Sequence, residues 1–365
     1  MHILHVVGAR PNFMKAAPVF RALAQRSHRQ TVVHTGQHYD KQMSHIFFEQ
    51  LGIPEPDENL NVGSASHAQQ TASIMCRFEP VLLAHRPDLV LVYGDVNSTV
   101  AAALVCAKLG TRFGHVEAGL RSFDRTMPEE INRLLTDQLA DLLFTPSKDG
   151  DQNLANEGVS SNKVFFVGNV MIDTLIRLLP EADKCFPPLQ ASLSLESYGL
   201  ITLHRPSNVD DGTLFLPMLD VLNELSTTLP LLFPVHPRTR QKWARDLDRC
   251  GQGLRIVDPL GYIEFLALQK HAMVVITDSG GIQEETTFLG KPCLTLRTNT
   301  ERPVTVTNGT NVLIGQNWEA LRREFRRAID APPVRPAPPP LWDGNAASRI
   351  AEVISCQPPA GNGLQ

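Results

Sequence analysis

The chain has 365 residues, 42% of them hydrophobic and 20% charged, the composition of an ordinary globular protein that folds in water. One hydrophobic core seldom grows past about 250–300 residues, so two domains are expected. A net charge of −4 with no long basic run speaks against nucleic acid or an anionic membrane surface as partner, and no apolar stretch approaches the ~20 residues of a membrane-spanning helix.

The six cysteines (76, 106, 185, 250, 293 and 356) are scattered, with neither CxxC nor metal-ligand spacing. A structural zinc or a disulfide framework is not expected, and the thiols read as small buried hydrophobes in a reducing cytoplasm. Short apolar runs alternate with helix-length segments, the pattern of βα units and parallel sheets. The first run, His2–Val7, has no basic segment or cleavage site ahead of it, so no signal peptide is expected. Further strands are predicted at Thr31–Thr35, Leu89–Tyr93, Arg112–Val116, Leu142–Thr145 and Val164–Val167. A second series follows at Tyr198–Leu203, Leu231–Val235, Leu254–Val257, Met273–Ile276 and Cys293–Leu296. Helical patterns fall between them at Met14–Ala24, Ser98–Leu109, Pro128–Leu139, Leu214–Ser226 and Ile282–Leu289. Two α/β halves of similar build are expected, 1–170 with six of these strands and 171–344 with five, and a last helix near Asn345–Ser355 packing back on the first. Leu178–Leu193, with Pro180, Pro187 and Pro188, reads as irregular; Ala331–Leu341 reads as extended over the surface, and 357–365 as a disordered tail.

Open α/β sheets bind ligands at the carboxyl ends of their strands, so the polar clusters there are the candidates. After the first strand, Arg10 and Lys15 bracket a helix start, an arrangement suited to a diphosphate, although surface charge at a helix start is the commoner reason for such a pattern taken alone. Neither a Walker A sequence nor GxGxxG is present, which disfavours a nucleotide triphosphatase and a dinucleotide oxidoreductase. Asp95 follows the Leu89–Tyr93 strand and is a candidate N-cap or catalytic carboxylate. Glu117 follows the next strand, with Arg121 near enough to pair with it, and Glu129 and Glu130 open a helix behind Pro128. Singly each has a structural reading; three acidic sites at successive strand ends point to carboxylates tuned apart as acid and base. In the second half His204, Arg205 and His236 lie at strand ends. The run Thr277-Asp278-Ser279-Gly280-Gly281 reads as strand, tight turn and helix with Ser279 as N-cap. Its free N–H groups suit a phosphate or pyrophosphate, and Glu285, one turn on, can accept hydrogen bonds from a ribose.

The segments GARPNFMK, GDVNST, GHVEAGLRS, MPEEINR, LHRPSNVD, PVHPR, TDSGGIQEE, LGKP and NTERPVTVTNGTN, in this order, resemble the non-hydrolysing UDP-N-acetylglucosamine 2-epimerases over about residues 1–350. The resemblance implies two Rossmann-like domains of glycosyltransferase-B-like architecture and cofactor-free interconversion of UDP-GlcNAc and UDP-ManNAc for polysaccharide synthesis. It further implies a homodimer, a UDP-sugar substrate and no bound metal. Carried over residue by residue, it makes Asp95, Glu117, Glu129 and His204 catalytic. Arg10 and Lys15 fall near the diphosphate, Ser279, Gly280 and Gly281 at the diphosphate turn, Glu285 at the ribose, and Arg205 and His236 in the cleft lining. Asn12 stands where the family has an acidic residue, and HRPSNVD and Gln37-His38-Tyr39-Asp40 also depart from its common pattern. Those departures leave a modified sugar (a 3-acetamido or uronic acid form) as an alternative substrate and do not carry allosteric activation by substrate over. The implied chemistry is elimination of UDP across C1–C2 to a 2-acetamidoglucal and re-addition on the other face. A hydrolysing relative, a retaining glycosyltransferase and a silent nucleotide-sugar-binding protein are the competing readings.

Overall fold

The computed structural model describes residues 1–36, 51–330 and 337–358, apart from the side chains of residues 10, 206, 207, 237 and 238. The Gln37–Asp40 departure, most of the proline-rich stretch and the tail from residue 359 lie outside the described residues. The chain divides into two compact units, Met1–Thr174 with Pro340–Gln365, and Leu175–Pro339. No helix among the described residues is long and apolar enough to cross a membrane.

The first unit holds strands β1 (His2–Val7), β2 (Arg29–His34), β3 (Glu58–Asn59), β4 (Leu89–Tyr93), β5 (Phe113–Val116), β6 (Leu142–Thr145) and β7 (Val164–Phe166). They form one parallel sheet in the order β3-β2-β1-β4-β5-β6-β7. Every residue of β4, β5 and β6 is buried, as strands covered by helices on both faces must be. Leu4, Val6, Val90, Val92 and Leu143 share one core with Phe78 and Ala101 from the flanking helices. The sheet has seven strands where six were expected; the extra one, β3, is two polar residues at the edge, too short to leave a period. The helix Ala346–Ser355 packs on the helix Arg10–Ala24. Its first amides donate to Asp173 (Ala346 N–H 3.2 Å, Ala347 N–H 2.8 Å), and burial pushes that carboxyl up to about 6.

The second unit holds β8 (Gly199–Thr202), β9 (Leu231–Pro234), β10 (Leu254–Val257), β11 (Val274–Thr277), β12 (Cys293–Thr295) and β13 (Asn311–Leu313), parallel in the order β10-β9-β8-β11-β12-β13. Its core is built on Ile201, Phe233, Ile276, Phe215, Leu222 and Phe325. Strand β13 is a three-residue edge strand that sequence did not signal. Two expectations are corrected. The segment Leu178–Leu193 is not irregular: nearly all of it lies in the helix Val170–Ser192, whose three prolines are on the exposed side, where water can serve the carbonyls they leave free. Packing of Phe186, Leu189 and Leu193 against Tyr198 and Leu268 overrides proline's low helix propensity. Nor are all six thiols buried: Cys106 and Cys293 are, whereas Cys76 and Cys356 face outward, Cys76 from the helix His67–His85.

In each sheet the strand order reverses once, between β1 and β4 and between β8 and β11. Such a switch point leaves a crevice at the carboxyl ends of the two strands, the usual ligand position in open α/β sheets.

Candidate active site

The switch point of the first unit is built from three turns. After β1 the chain enters the helix Arg10–Ala24 directly. Asn12 folds back on that entry: its Oδ1 accepts from the N–H of Gly8 and Ala9, both at 3.1 Å, and its Nδ2 donates to the Tyr93 carbonyl at 2.7 Å. The amide thus ties the ends of β1 and β4 together, a task needing a donor and an acceptor that a carboxylate lacks. After β4, Gly94 takes φ 62°, a turn that favours glycine, and Lys15 Nζ lies 2.6 Å from where a Cβ would stand. Asp95 follows, and Val96, not Asp95, is the N-cap of the helix Asn97–Leu109. Asp95 instead pairs with Arg133 at 2.9 Å, and its carbonyl accepts from Asn132 at 2.9 Å.

Glu117 follows β5 with φ 76°, a left-handed conformation that costs a non-glycine residue about 1–3 kcal/mol. Its N–H and that of Ala118 share the Phe144 carbonyl at 3.1 and 3.0 Å, and its carboxylate meets Lys15 at 2.6 Å, both side chains buried. Arg121, expected beside Glu117, pairs with Asp137 and Glu157 instead, because the left-handed corner turns the chain away. The helix Pro128–Leu139 separates its two leading glutamates. Glu130 is buried and saturated, accepting from Ser122 N–H (2.9 Å) and Oγ (2.9 Å), Phe123 N–H (3.0 Å) and pairing with Arg133 at 2.9 Å. Glu129 is half-buried and has no hydrogen bond or ion pair among the described residues. The helix is amphipathic in reverse: Glu130, Asn132, Arg133, Thr136 and Asp137 face inward, while Ile131, Leu135 and Leu139 are exposed.

In the second unit one residue organises the switch point. Asp278, fully buried at the end of β11, accepts from the N–H of His204 (3.1 Å) and Arg205 (3.0 Å) and from Asn208 Nδ2 (3.0 Å). It also faces His204 Nδ1 at 3.2 Å, so it orients the imidazole while 54% of that side chain stays exposed. Arg205 Nε donates to the Asp278 carbonyl at 3.0 Å. His236 sits past β9, one strand away from the switch. Ser279 is the N-cap position of the helix Gly280–Leu289, but its hydroxyl makes no cap hydrogen bond, contrary to expectation; the turn is closed by Ser279 N–H donating to Thr277 Oγ1 at 3.0 Å. A side chain at Gly280 would strike the Arg302 guanidinium and lie 2.6 Å from Glu301 Oε1. Arg302 pairs with Glu284 at 2.9 Å and with Glu301. Glu285 is buried, its Oε1 accepting from the Tyr262 hydroxyl at 2.8 Å. Burial, helped by the neighbouring Glu284 charge, pushes the Glu285 carboxyl up to about 7 against the opposing hydrogen bonds of Tyr262 and Gln269. Arg10 begins the first helix, and its side chain lies outside the described residues. Sequence reasoning assigned no role to Asp278, Tyr262, Arg133 or Asp137. Of these Asp278 left a trace, being the acid of the TDSGG turn; the others sit inside helices and pair with distant residues.

Two parallel Rossmann-like halves, each with its polar residues at a switch point, make this a glycosyltransferase-B-like fold. The family model for UDP-N-acetylglucosamine 2-epimerase matches residues 21–355. A Methanococcus maripaludis UDP-N-acetylglucosamine 2-epimerase homolog is 43% identical over 97% of this chain and 99% of its own. The Pseudomonas aeruginosa UDP-2,3-diacetamido-2,3-dideoxy-D-glucuronate 2-epimerase is 42% identical, again over 97% and 99%. The crystal structure of the Methanocaldococcus jannaschii UDP-GlcNAc 2-epimerase in complex with UDP-GlcNAc and UDP matches with a TM-score of 0.91 and 39% identity, covering 98% of this chain and 100% of that one. The chain belongs to the UDP-N-acetylglucosamine 2-epimerase family.

Proposed function

We propose that this chain interconverts UDP-GlcNAc and UDP-ManNAc without releasing free sugar. The observation that carries the proposal is the pair of acidic corners at the first switch point: Asp95 on Arg133, and Glu117 held left-handed against Lys15. The C2 proton of the sugar neighbours an acetal carbon, so its direct removal gives no stabilised carbanion. Loss of that proton to a carboxylate, with the C–H pair forming C1=C2 as the C1–O bond breaks toward UDP, gives a neutral 2-acetamidoglucal. Re-addition of UDP, with a proton delivered to the opposite face of C2, gives the epimer. Asp95, Glu117 and Glu129 are the proposed acid and base groups, a pairing worth about 10²–10⁴-fold per role. The Ser279–Gly281 amides would take the diphosphate, Glu285 the ribose, and Arg10, His204, Arg205 and His236 the charge and shape of the leaving group. Lys15, engaged with Glu117, would orient that carboxylate besides any contact with the diphosphate.

A second reading, a 2-epimerase of a diacetamido uronic acid, is favoured by the 42% identity to the P. aeruginosa enzyme of that name. Incubation with each UDP-sugar, followed by chromatography and mass spectrometry, separates the two. UDP-ManNAc from UDP-GlcNAc is the expected product. Turnover of the diacetamido uronate alone would establish the second reading, and free UDP with ManNAc a hydrolysing enzyme.

The chain is further proposed to act as a homodimer. The face we assign to it is the exposed row Ile131, Leu135 and Leu139, of which Ile131 also lines, with Ala72 and Met75, a groove of about 520 Å³. Leu135→Glu should then shift the light-scattering mass from dimer to monomer; an unchanged mass would place the contact elsewhere.

A further inference from the structure

Beneath both acidic corners lies a buried histidine–aspartate pair to which nothing above gives a task. His115, on β5 two residues before Glu117, is fully buried. Its Nε2 is 2.8 Å from the Gly94 carbonyl oxygen and its Nδ1 is 2.6 Å from Asp137 Oδ1. Burial alone would raise the Asp137 carboxyl, but His115 and then Arg121 overcome it and hold the group below its usual value. A carbonyl only accepts, so Nε2 donates to Gly94 while Nδ1 faces the Asp137 carboxyl. The second oxygen of Asp137 accepts from the Gly119 N–H at 3.0 Å and meets Arg121 Nη1 at 2.7 Å. Arg121 in turn forks onto Glu157 at 2.7 Å through both Nε and Nη2.

The two backbone groups gripped in this way stand at matching places. Gly94, with φ 62°, immediately precedes Asp95; Gly119, with φ 80°, closes the left-handed corner opened by Glu117. Gly119 also packs so closely on the backbone of Gly150 that a Cβ would lie 2.5 Å from its carbonyl oxygen. Stability gives no reason to keep such a cluster: a buried ion pair can often be replaced by well-packed apolar residues at no net loss. It lies in the core behind the switch point, where apolar side chains fill the same sheet. The buried face of Pro128–Leu139 repeats the arrangement along its length, with Glu130 holding the Ser122–Phe123 turn, Arg133 holding Asp95 and Asp137 the pair described here.

We propose that His115 and Asp137 are positioning residues, one buried pair that fixes the Asp95 and Glu117 corners against each other through the Gly94 carbonyl and the Gly119 amide. The proposal rests on the reading of those two carboxylates as proton-transfer groups. Donor and acceptor must sit on opposite faces of one sugar carbon, so an error of an ångström at either corner should cost turnover about 10²-fold without loosening the nucleotide.

The test uses full-length Asp137→Asn and His115→Gln, with amide exchange of segments 93–98 and 116–121 measured beside kinetics and UDP affinity. The expected result is faster exchange in both segments and kcat lowered about 10²-fold, with KM and UDP affinity within about twofold of the parent. Unchanged exchange at both corners overturns the proposal whatever the activity. So does kcat within about threefold of the parent, or UDP affinity falling along with kcat in both variants, the mark of a merely structural pair. A parent protein that turns over no UDP-N-acetylhexosamine overturns the function reading instead, and the exchange data then still judge the pair.

Discussion

Glu117→Gln should lower turnover by about 10²–10⁴-fold while leaving UDP affinity within about threefold. The amide keeps the shape of the side chain and loses the ability to take a proton. The same change strips Lys15 of its partner where the two side chains are only 6% and 3% exposed. A buried ammonium left unpaired typically costs about 3–5 kcal/mol, so the variant should also melt earlier. Adding Lys15→Met removes the orphaned charge, and the double variant is expected to regain much of the stability and none of the turnover. This separates chemistry from folding. Turnover of the single variant within tenfold of the parent would remove Glu117 from proton transfer; an unchanged melting curve would mean that water satisfies the lysine.

Glu285→Gln is expected to have opposite effects on stability and on binding. The carboxyl titrates at about 7 in the folded chain, mainly through burial, against an ordinary value of 4.5. Between those values the folded chain holds more protons than the unfolded one, so this group makes stability fall as pH rises from about 4.5 through about 7. The full penalty, roughly 3 kcal/mol at 1.36 kcal/mol per unit, is present above pH 7. Glutamine carries no charge to bury. Denaturant unfolding at pH 8 should therefore show the variant to be more stable than the parent, with the difference shrinking toward pH 5. If the ionised carboxylate receives the ribose hydroxyls, UDP-GlcNAc affinity of the parent rises with pH through about 7, and the variant binds about tenfold or more weakly with no such rise. Tighter folding with unchanged binding would exclude Glu285 from the nucleotide site. Loss of stability at pH 8 would mean that the carboxylate has partners in the fold that outweigh its burial.

The α/β architecture was legible because buried parallel strands are written as unbroken apolar runs. Leu89–Tyr93 and Leu142–Thr145 could be bounded to the residue by their turn signals. Edge strands such as Glu58–Asn59 and Asn311–Leu313 carry no such run, since only a few backbone bonds define them. The proline-bearing helix Val170–Ser192 was misread because local propensity says nothing of the core that Phe186 and Leu189 reach. Side-chain partners at the candidate site were the least legible. Choosing Lys15 over Arg121 for Glu117, or assigning Glu130 to a turn and leaving Glu129 open, depends on directions set by a left-handed corner and a helix face. Asp137 met His115 across 22 residues by the pairing of a strand with a helix, which no motif spacing encodes.

The fate of one hydrogen, that on C2 of the sugar, tests the proposed chemistry most directly. Proton NMR of the purified protein with UDP-GlcNAc in D2O should show UDP-ManNAc appearing, deuterium entering C2 of both epimers, and no accumulation of free ManNAc or UDP. Epimerisation with the C2 proton retained would contradict proton transfer by the carboxylates of the first switch point, and steady release of free sugar would contradict re-addition of UDP.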